Sequence, residues 1–143
     1  MTRNTGWLGA VLIVEDEVIQ ADLLAETLLD AGAGEIRRCV TAAEALAELR
    51  TFSPNVLILD VKLGDGHDGW LMAELAQQMF ARMPLVVFAT GSPERIPAEI
   101  GNLGMLAVKP YDAADLVEKI RLRLAAPKPA GWRTLFTRTA KPD

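Results

Sequence analysis

Acidic, hydroxyl and ammonium side chains stand at the ends of four apolar runs of this sequence. Glu15 and Asp16 follow the first of these runs, Asp60 ends the next, and Thr90 and Lys109 follow the last two. Carboxylates that pack together repel one another unless a cation neutralises them, and the absence of clustered His or Cys favours a hard ion, Mg2+ or Mn2+. A hard ion, a free carboxylate, a Lys and a Thr are the groups needed to transfer a phosphoryl group onto an aspartate.

The same apolar runs have the composition of strands that are buried on both faces. Five strands are predicted, at residues 10–14, 35–40, 55–60, 85–89 and 105–108. A helical segment follows each strand, and this alternation predicts an α/β fold, a doubly wound five-stranded parallel sheet in the flavodoxin-like order 2-1-3-4-5. Because the carboxyl ends of parallel strands meet at one edge of the sheet, the candidate site residues are expected to converge there.

The predicted helices differ in how clearly the sequence marks them. Apolar residues recur at helical spacing in the first helix: Val18, Ile19, Leu23, Leu24 and Leu28. The third helix is expected to place four residues on its inner face: Trp70, Leu71, Leu75 and Met79. A capping-box pattern, Thr41 followed by Glu44, begins the second helix. Residues 93–102 predict only a weak, short helix, because Pro97 is badly placed for a helix interior.

Length and composition fit one globular domain. We divide the 143 residues into an N-terminal extension (1–9), a domain (10–126) and a C-terminal tail (127–143). The net charge of -4 argues against a nucleic-acid surface. The apolar runs are too short for a membrane span or a signal peptide, so a cytoplasmic protein without a membrane partner is expected.

Two further features have ordinary structural interpretations. Cys39 is the only cysteine, which excludes an intrachain disulfide and a multi-Cys metal site, and we expect it to be a buried apolar residue. The tail carries Trp132, Leu135 and Phe136 at helical spacing and a net positive charge. A short helix docked on the acidic domain is favoured over a partner-binding segment or a disordered end.

Four segments of the sequence resemble a known signature. Val14-Glu-Asp-Glu17, Leu59-Asp60, Ala89-Thr-Gly91 and Val108-Lys-Pro110 are similar to the motifs of response-regulator receiver domains (CheY-like) of two-component signalling. The resemblance covers roughly residues 10–126. Phe88-Ala-Thr-Gly91 also looks like the FAT GUY subclass, whose members are often stand-alone proteins that work with HWE or HisKA2-type kinases.

The resemblance implies a role for each acid of the site. Asp60 would accept the phosphoryl group from the phosphohistidine of a sensor histidine kinase. Asp16, Asp60 and the backbone carbonyl of Lys62 would ligate Mg2+, and Glu15 would act mainly through water. The Lys62 side chain could also reach over the site, although a side chain that points into solvent is equally expected.

The resemblance also assigns the groups around the phosphoryl position. Thr90 would hydrogen-bond the phosphoryl group and shift on activation, and Lys109 would pair with a phosphoryl oxygen. Pro110 in such domains commonly follows a cis peptide bond. Typical receivers carry an aromatic switch residue three positions before the lysine, but this sequence has Leu106 there. We therefore expect activation to act by ordering residues 91–104, because weakly formed elements host order–disorder switches.

The function implied is a single-domain response regulator, a phosphoryl-accepting switch that catalyses only its own phosphorylation and dephosphorylation and is not otherwise an enzyme. The residues after 126 are too few for a DNA-binding or catalytic output domain. Output is then expected through protein interaction, competition for the kinase's phosphoryl groups, or relay to a histidine phosphotransfer protein.

Three other functions compete with this one. A metal-dependent phosphatase with an aspartate nucleophile needs a second acid two residues after the nucleophile, where this chain has Lys62. A flavodoxin-like nucleotide or flavin binder is disfavoured because Glu15, Asp16 and Glu17 would repel phosphate. A degenerate receiver that acts only as a scaffold ranks low, because all the groups needed for phosphorylation are present. His67, the only histidine, lies in a Gly-rich loop and is interpreted as a surface residue.

Overall fold

The computed structural model describes residues 8–62 and 69–125, and they form alternating strands and helices. The strands are β1 (Ala10–Val14), β2 (Glu35–Cys39), β3 (Val56–Asp60), β4 (Leu85–Thr90) and β5 (Gly104–Val108). The helices are α1 (Val18–Asp30), α2 (Ala42–Leu49), α3 (Trp70–Met79), α4 (Ala98–Gly101) and α5 (Ala113–Ala125), with a 3-10 turn at Pro93–Arg95. The predicted N-terminal extension and C-terminal tail fall almost entirely outside these residues, so the prediction of a docked tail helix stays a prediction.

The five strands form one parallel sheet in the order β2-β1-β3-β4-β5, as predicted. The register places Val14 beside Leu59, Asp60 beside Ala89, and Thr90 beside Val108. The last residues of four neighbouring strands therefore form one row. This row positions the acidic, hydroxyl and ammonium groups identified in the sequence.

Side chains of the central strands alternate between two apolar layers. One layer joins Leu12, Leu57 and Phe88 to α2 and α3, and the other joins Ile13 and Ile58 to α1 and α5. Both faces of the sheet are therefore covered, which explains why the central strands are apolar at every position rather than at every second one. This packing fixes the strand ends from both sides.

The helices contact the sheet through smaller residues than the sequence pattern predicted. In α1 only Leu24 and Leu28 of the apolar series are buried, while Ile19 is 84% exposed. In α3 the predicted inner face is wrong at Leu71 and Met79, which are both exposed. The buried positions of that helix are Met72, Ala73 and Ala76. Alanine allows the helix to lie close to the sheet, and a pattern of bulky residues does not reveal such contacts.

Two local predictions are confirmed. The Thr41 side chain accepts a hydrogen bond from the Glu44 N–H at 3.1 Å and caps α2, while the Glu44 carboxylate accepts from the Val40 N–H at 2.8 Å. Residues 93–102 form only the 3-10 turn and the four-residue α4, and Pro97 lies between them.

None of the helices in residues 8–62 and 69–125 has the length and apolarity that a bilayer crossing requires.

Candidate phosphoryl-acceptor and metal site

Three carboxylates converge where β1 and β3 end. Glu15, Asp16 and Asp60 each offer an oxygen atom, and these atoms lie within 4.8 Å of one another. Glu15 is 5% and Asp60 6% exposed, whereas Asp16 is partly exposed. The sequence predicted this convergence from the order of the parallel strands. In the structure, Val14 and Leu59 are neighbours in the sheet, which brings the residues after them together. The result is a concentration of negative charge in a largely dry position.

Lys109 supplies the positive charge from the end of β5. Its Nζ lies 3.2 Å from Glu15 Oε1 and 3.3 Å from Asp60 Oδ2. The Lys109 N–H donates to the Thr90 carbonyl at 2.8 Å, which anchors the strand end. The peptide bond between Lys109 and Pro110 is cis, as the resemblance implied. One ammonium group therefore serves two buried carboxylates.

The pKa values in the site reflect burial first and charge second. Burial, together with contact with Asp60, raises the pKa of Glu15 to about 7. Burial also raises the pKa of Asp60, although contacts with Glu15, Lys109 and the Lys62 N–H oppose this. Burial alone would lower the pKa of Lys109, but the carboxylates of Asp60 and Glu15 outweigh it and raise the value. Without a metal ion, Glu15 therefore keeps its proton to a higher pH than an ordinary carboxyl does.

The donor set fits a hard divalent cation. Of the three carboxylates, Glu15 and Asp60 share the Lys109 ammonium, so the cluster retains negative charge that a metal ion can neutralise. All three offer oxygen atoms, which Mg2+ prefers as ligands, and no His or Cys belongs to this group. The Lys62 N–H donates to Asp60 Oδ1 at 3.1 Å, so the backbone of Lys62, whose carbonyl is expected to complete the ligand set, lies close to the Asp60 carboxylate. That carbonyl's part in metal binding stays a prediction.

Thr90 occupies the remaining side of the site. Its side chain is 6% exposed, and its Oγ1 accepts a hydrogen bond from the Ser92 N–H at 2.9 Å. The hydroxyl hydrogen is left available for another acceptor. The Thr90 hydroxyl can therefore donate to a phosphoryl oxygen while Ser92 holds its position.

Most of the predicted site residues border a cavity of about 340 Å³. Asp16, Asp60, Thr90 and Lys109 all line it, whereas Glu15 lies behind them and is not part of the wall. The Lys62 side chain is exposed and also lines the cavity. The two interpretations of Lys62 are thus compatible, because one side chain can be solvated and still border the site. His67 lies in 63–68, outside the described residues.

Trp70 and Arg95 are among the cavity residues that the sequence did not identify. Trp70 begins α3 and was interpreted only as a core residue, yet it lines the cavity as well. Arg95 ends the 3-10 turn and lines the cavity from the side of β4. A positive charge five residues after Thr90 could have suggested that Arg95 lies near the site. The direction of the Arg95 side chain could not be predicted, because it depends on the conformation of a short segment that contains a serine and two prolines.

Leu106 occupies the position where an aromatic switch residue was expected and not found. It lies on β5 next to Phe88 of β4 and is 45% exposed. Leu106 carries no group that could hydrogen-bond Thr90 or a phosphoryl oxygen. The prediction that the conformational change proceeds without an aromatic side chain at this position remains a prediction.

Known proteins share the sequence and fold of this chain. Residues 11–121 match the family described as response regulator receiver domain. The chain is 31% identical over 119 residues to the transcriptional regulatory protein PdtaR of Mycobacterium tuberculosis, a match that covers 80% of this chain and 56% of that protein. The chain therefore spans about half the length of the curated relatives it matches.

Solved structures agree with the fold. A receiver domain protein (CheY-like) from Methanospirillum hungatei superposes with a TM-score of 0.69 at 28% identity, covering 82% of this chain and 94% of that one. The receiver domain of NtrX from Brucella abortus gives a TM-score of 0.67 at 28% identity, covering 80% of this chain and 96% of that one. Both likenesses extend over most of the described residues.

Proposed function

Because the chain belongs to the response regulator receiver domain family, we propose that it accepts a phosphoryl group on Asp60 from the phosphohistidine of a sensor histidine kinase. One observation carries this proposal above the others. The Asp60 carboxylate is buried at the wall of an open cavity, between the Lys109 ammonium and two further acids. A nucleophile, a counter-cation and oxygen ligands for a metal would therefore meet at one edge of the sheet.

The reaction exchanges one bond to phosphorus for another. The bond from phosphorus to the imidazole nitrogen of the kinase breaks, a bond to an Asp60 oxygen forms, and the imidazole takes up a proton as it leaves. Asp60 Oδ1 accepts from the Lys62 N–H and Oδ2 pairs with Lys109, so attack through Oδ2 would replace the contact with Lys109. Lys109 is then free to pair with an oxygen of the transferred group.

We assign the metal to the acids that the geometry brings together. Asp16, Asp60 and the Lys62 carbonyl would hold Mg2+, with Mn2+ as an alternative, and Glu15 would contact it through water. The ion, when bound, supplies positive charge to the phosphoryl oxygens. Thr90 would donate its hydroxyl hydrogen to one of those oxygens. These roles carry the family resemblance onto residues that line or back one cavity.

The finer identity of the protein is also a proposal. The Phe88-Ala-Thr-Gly91 motif supports membership of the FAT GUY subclass and a HWE or HisKA2-type kinase as partner. We propose that the protein works in the cytoplasm as a stand-alone switch rather than as a general enzyme. Its output would then be a protein interaction or relay to a histidine phosphotransfer protein. The name of the Mycobacterium relative refers to transcriptional regulation, but the acidic net charge of this chain disfavours direct nucleic-acid binding.

The other functions weighed gain no specific support. A phosphatase with an aspartate nucleophile lacks its second acid, because Lys62 stands two residues after Asp60. A degenerate scaffold would not need the buried Asp60–Lys109 pair, since leaving such groups in a dry site is costly without a use.

A direct test is phosphorylation by a small donor. The protein is incubated with Mg2+ and acetyl phosphate, and the intact mass is measured beside that of Asp60→Asn. We expect one phosphoryl adduct in the natural chain and none in the variant. A natural chain that stays unmodified with acetyl phosphate is then tested with a HWE-type kinase. Absence of the adduct in both assays, or an adduct on Asp60→Asn, contradicts the proposal.

A further inference from the structure

Arg95 is a cation at the wall of the acceptor cavity that the proposed mechanism does not use. It is the last residue of the 3-10 turn Pro93–Arg95, and it lines the same cavity as Asp60, Thr90 and Lys109. Its side chain is exposed, and within residues 8–62 and 69–125 its guanidinium makes no ion pair. A charged group thus borders the site without a partner in the described part of the chain.

The charges around the cavity indicate which ligand Arg95 could bind. Lys109 is already shared between Glu15 and Asp60. A phosphoryl group on Asp60 brings close to two further negative charges and three acceptor oxygens. The planar, five-donor guanidinium matches such oxygens better than any other side chain. Arg95 is therefore suited to the charge that phosphorylation adds, rather than to the charge present before it.

Hydrogen bonds connect Arg95 to the hydroxyl of the site. Thr90 Oγ1 accepts from the Ser92 N–H at 2.9 Å, and the Ser92 carbonyl accepts from the Arg95 N–H at 3.0 Å. The next residue, Ile96, is partly buried against the core layer that contains Phe88. A movement of Thr90 would therefore be passed to the turn through two bonds. Through Ile96, the turn also contacts the hydrophobic core.

We propose that Arg95 is a second phosphoryl-binding residue beside Lys109, and that its contact with the phosphoryl group fixes the 3-10 turn in the phosphorylated state. This rests on the proposed phosphorylation of Asp60. It gives the chain a readout that needs no aromatic residue at Leu106, because the turn itself is drawn to the site. Arg95 acts on the transferred group and not on the metal, and this difference makes the assignment testable.

The test measures beryllofluoride binding in saturating Mg2+ by calorimetry, since this anion mimics a phosphoryl group on an aspartate. Arg95→Gln is compared with Arg95→Lys and with Arg82→Gln, a matched control on the loop between α3 and β4 at the opposite edge of the sheet. We expect Arg95→Gln to bind beryllofluoride about tenfold more weakly and Arg95→Lys about threefold, because a charged hydrogen bond is lost or replaced. Arg82→Gln should stay within about twofold of the natural chain, because its charge is screened over that distance.

Mg2+ binding alone distinguishes a specific role from general damage. Without beryllofluoride, Arg95→Gln should bind Mg2+ within about twofold of the natural chain, or more tightly, because a nearby positive charge is gone. Unchanged beryllofluoride affinity in Arg95→Gln overturns the assignment, and so does an equal loss of Mg2+ affinity. If the natural chain itself gives no adduct on Asp60, the proposed function fails instead, so the two failures are distinguishable.

Discussion

The Lys109 ammonium lies as close to Glu15, at 3.2 Å, as it does to the proposed acceptor. Glu15 is buried behind the cavity wall and does not itself line the cavity. It therefore holds the ammonium in place while competing with Asp60 for it. The balance between these two contacts determines both the stability of the site and its response to pH.

The Glu15 carboxyl should make the metal-free protein less stable as the pH rises. Its pKa is about 7 in the folded chain against an ordinary 4.5, so the unfolded chain releases this proton first. The free energy of unfolding should therefore fall between pH 4.5 and about 7, by about 3 kcal/mol, and then level off for this group. Urea unfolding in EDTA at several pH values measures this change in the free energy of unfolding. Glu15→Gln should remove most of this slope, and an unchanged slope in that variant would contradict the assignment.

Removal of Lys109 should abolish phosphoryl accumulation and destabilise the fold at neutral pH. Lys109→Met leaves Glu15 and Asp60 without their ammonium partner, and the loss should be about 2 kcal/mol at pH 7. The loss should shrink towards pH 5, because the Glu15 carboxyl, whose pKa is about 7, then binds a proton. Lys119→Met, at an exposed position of α5, is the matched control and should change stability by less than about 0.5 kcal/mol. A pH-independent loss would show that packing, not charge, is responsible.

Gly69 should be essential for the geometry of the acceptor. A Cβ at this position would overlap the Asp60 carbonyl oxygen, which is backbone and cannot move aside cheaply. We expect Gly69→Ala to lower the rate of phosphorylation by acetyl phosphate at least about tenfold, since small misplacements of reacting groups are costly. Gly101→Ala meets only the Ile96 side chain at 3.8 Å and should react like the natural chain. Equal rates for both variants would rule out this role.

Cys39 should be unreactive in the folded protein. Burial raises the pKa of its thiol to about 11, so little thiolate is present at neutral pH. Labelling by a thiol reagent at pH 8 should be slow until a denaturant is added. Because the unfolded thiol ionises from its ordinary pKa of 9, the free energy of unfolding should also fall as the pH rises from 9 towards 11. Rapid labelling without denaturant would contradict the buried position.

Beryllofluoride should protect residues 91–104 from hydrogen exchange. The 3-10 turn and the four-residue α4 offer few backbone hydrogen bonds, so their amides should exchange quickly in the free protein. Binding of the phosphoryl analogue with Mg2+ should slow exchange there more than in α2, which contributes no residue to the cavity wall. Unchanged exchange across 91–104 would show that activation does not order this segment. Arg95→Gln should reduce the protection if the guanidinium contact fixes the turn.

The sequence predicted the features that depend on strands. Continuous apolar runs identify β1, β3 and β4, and parallel order then places Glu15, Asp60 and Thr90 together. The position of Lys109 is predicted by the same reasoning, because it follows the end of β5. The site could thus be assembled from strand ends alone, because a parallel sheet brings its carboxyl ends to one edge.

Features that depend on close packing or on turns could not be predicted in this way. The buried face of α3 is formed largely by Ala73 and Ala76, whose importance lies in their small size and not in their hydrophobicity. Arg95 reaches the cavity through a turn whose direction follows from Ser92 and two prolines. Neither feature leaves a periodic pattern, so each required the structure.

Pro93 begins the turn that carries Arg95, and Pro97 separates this turn from α4. Both residues have a restricted φ, so this part of the chain has less backbone freedom than an ordinary loop of the same length. Fixing one residue costs about 1–2 kcal/mol of conformational entropy, and a proline has already lost part of that freedom before any ligand arrives. A switch that works by ordering this segment would therefore be less weakened by rising temperature than one built from a flexible glycine loop.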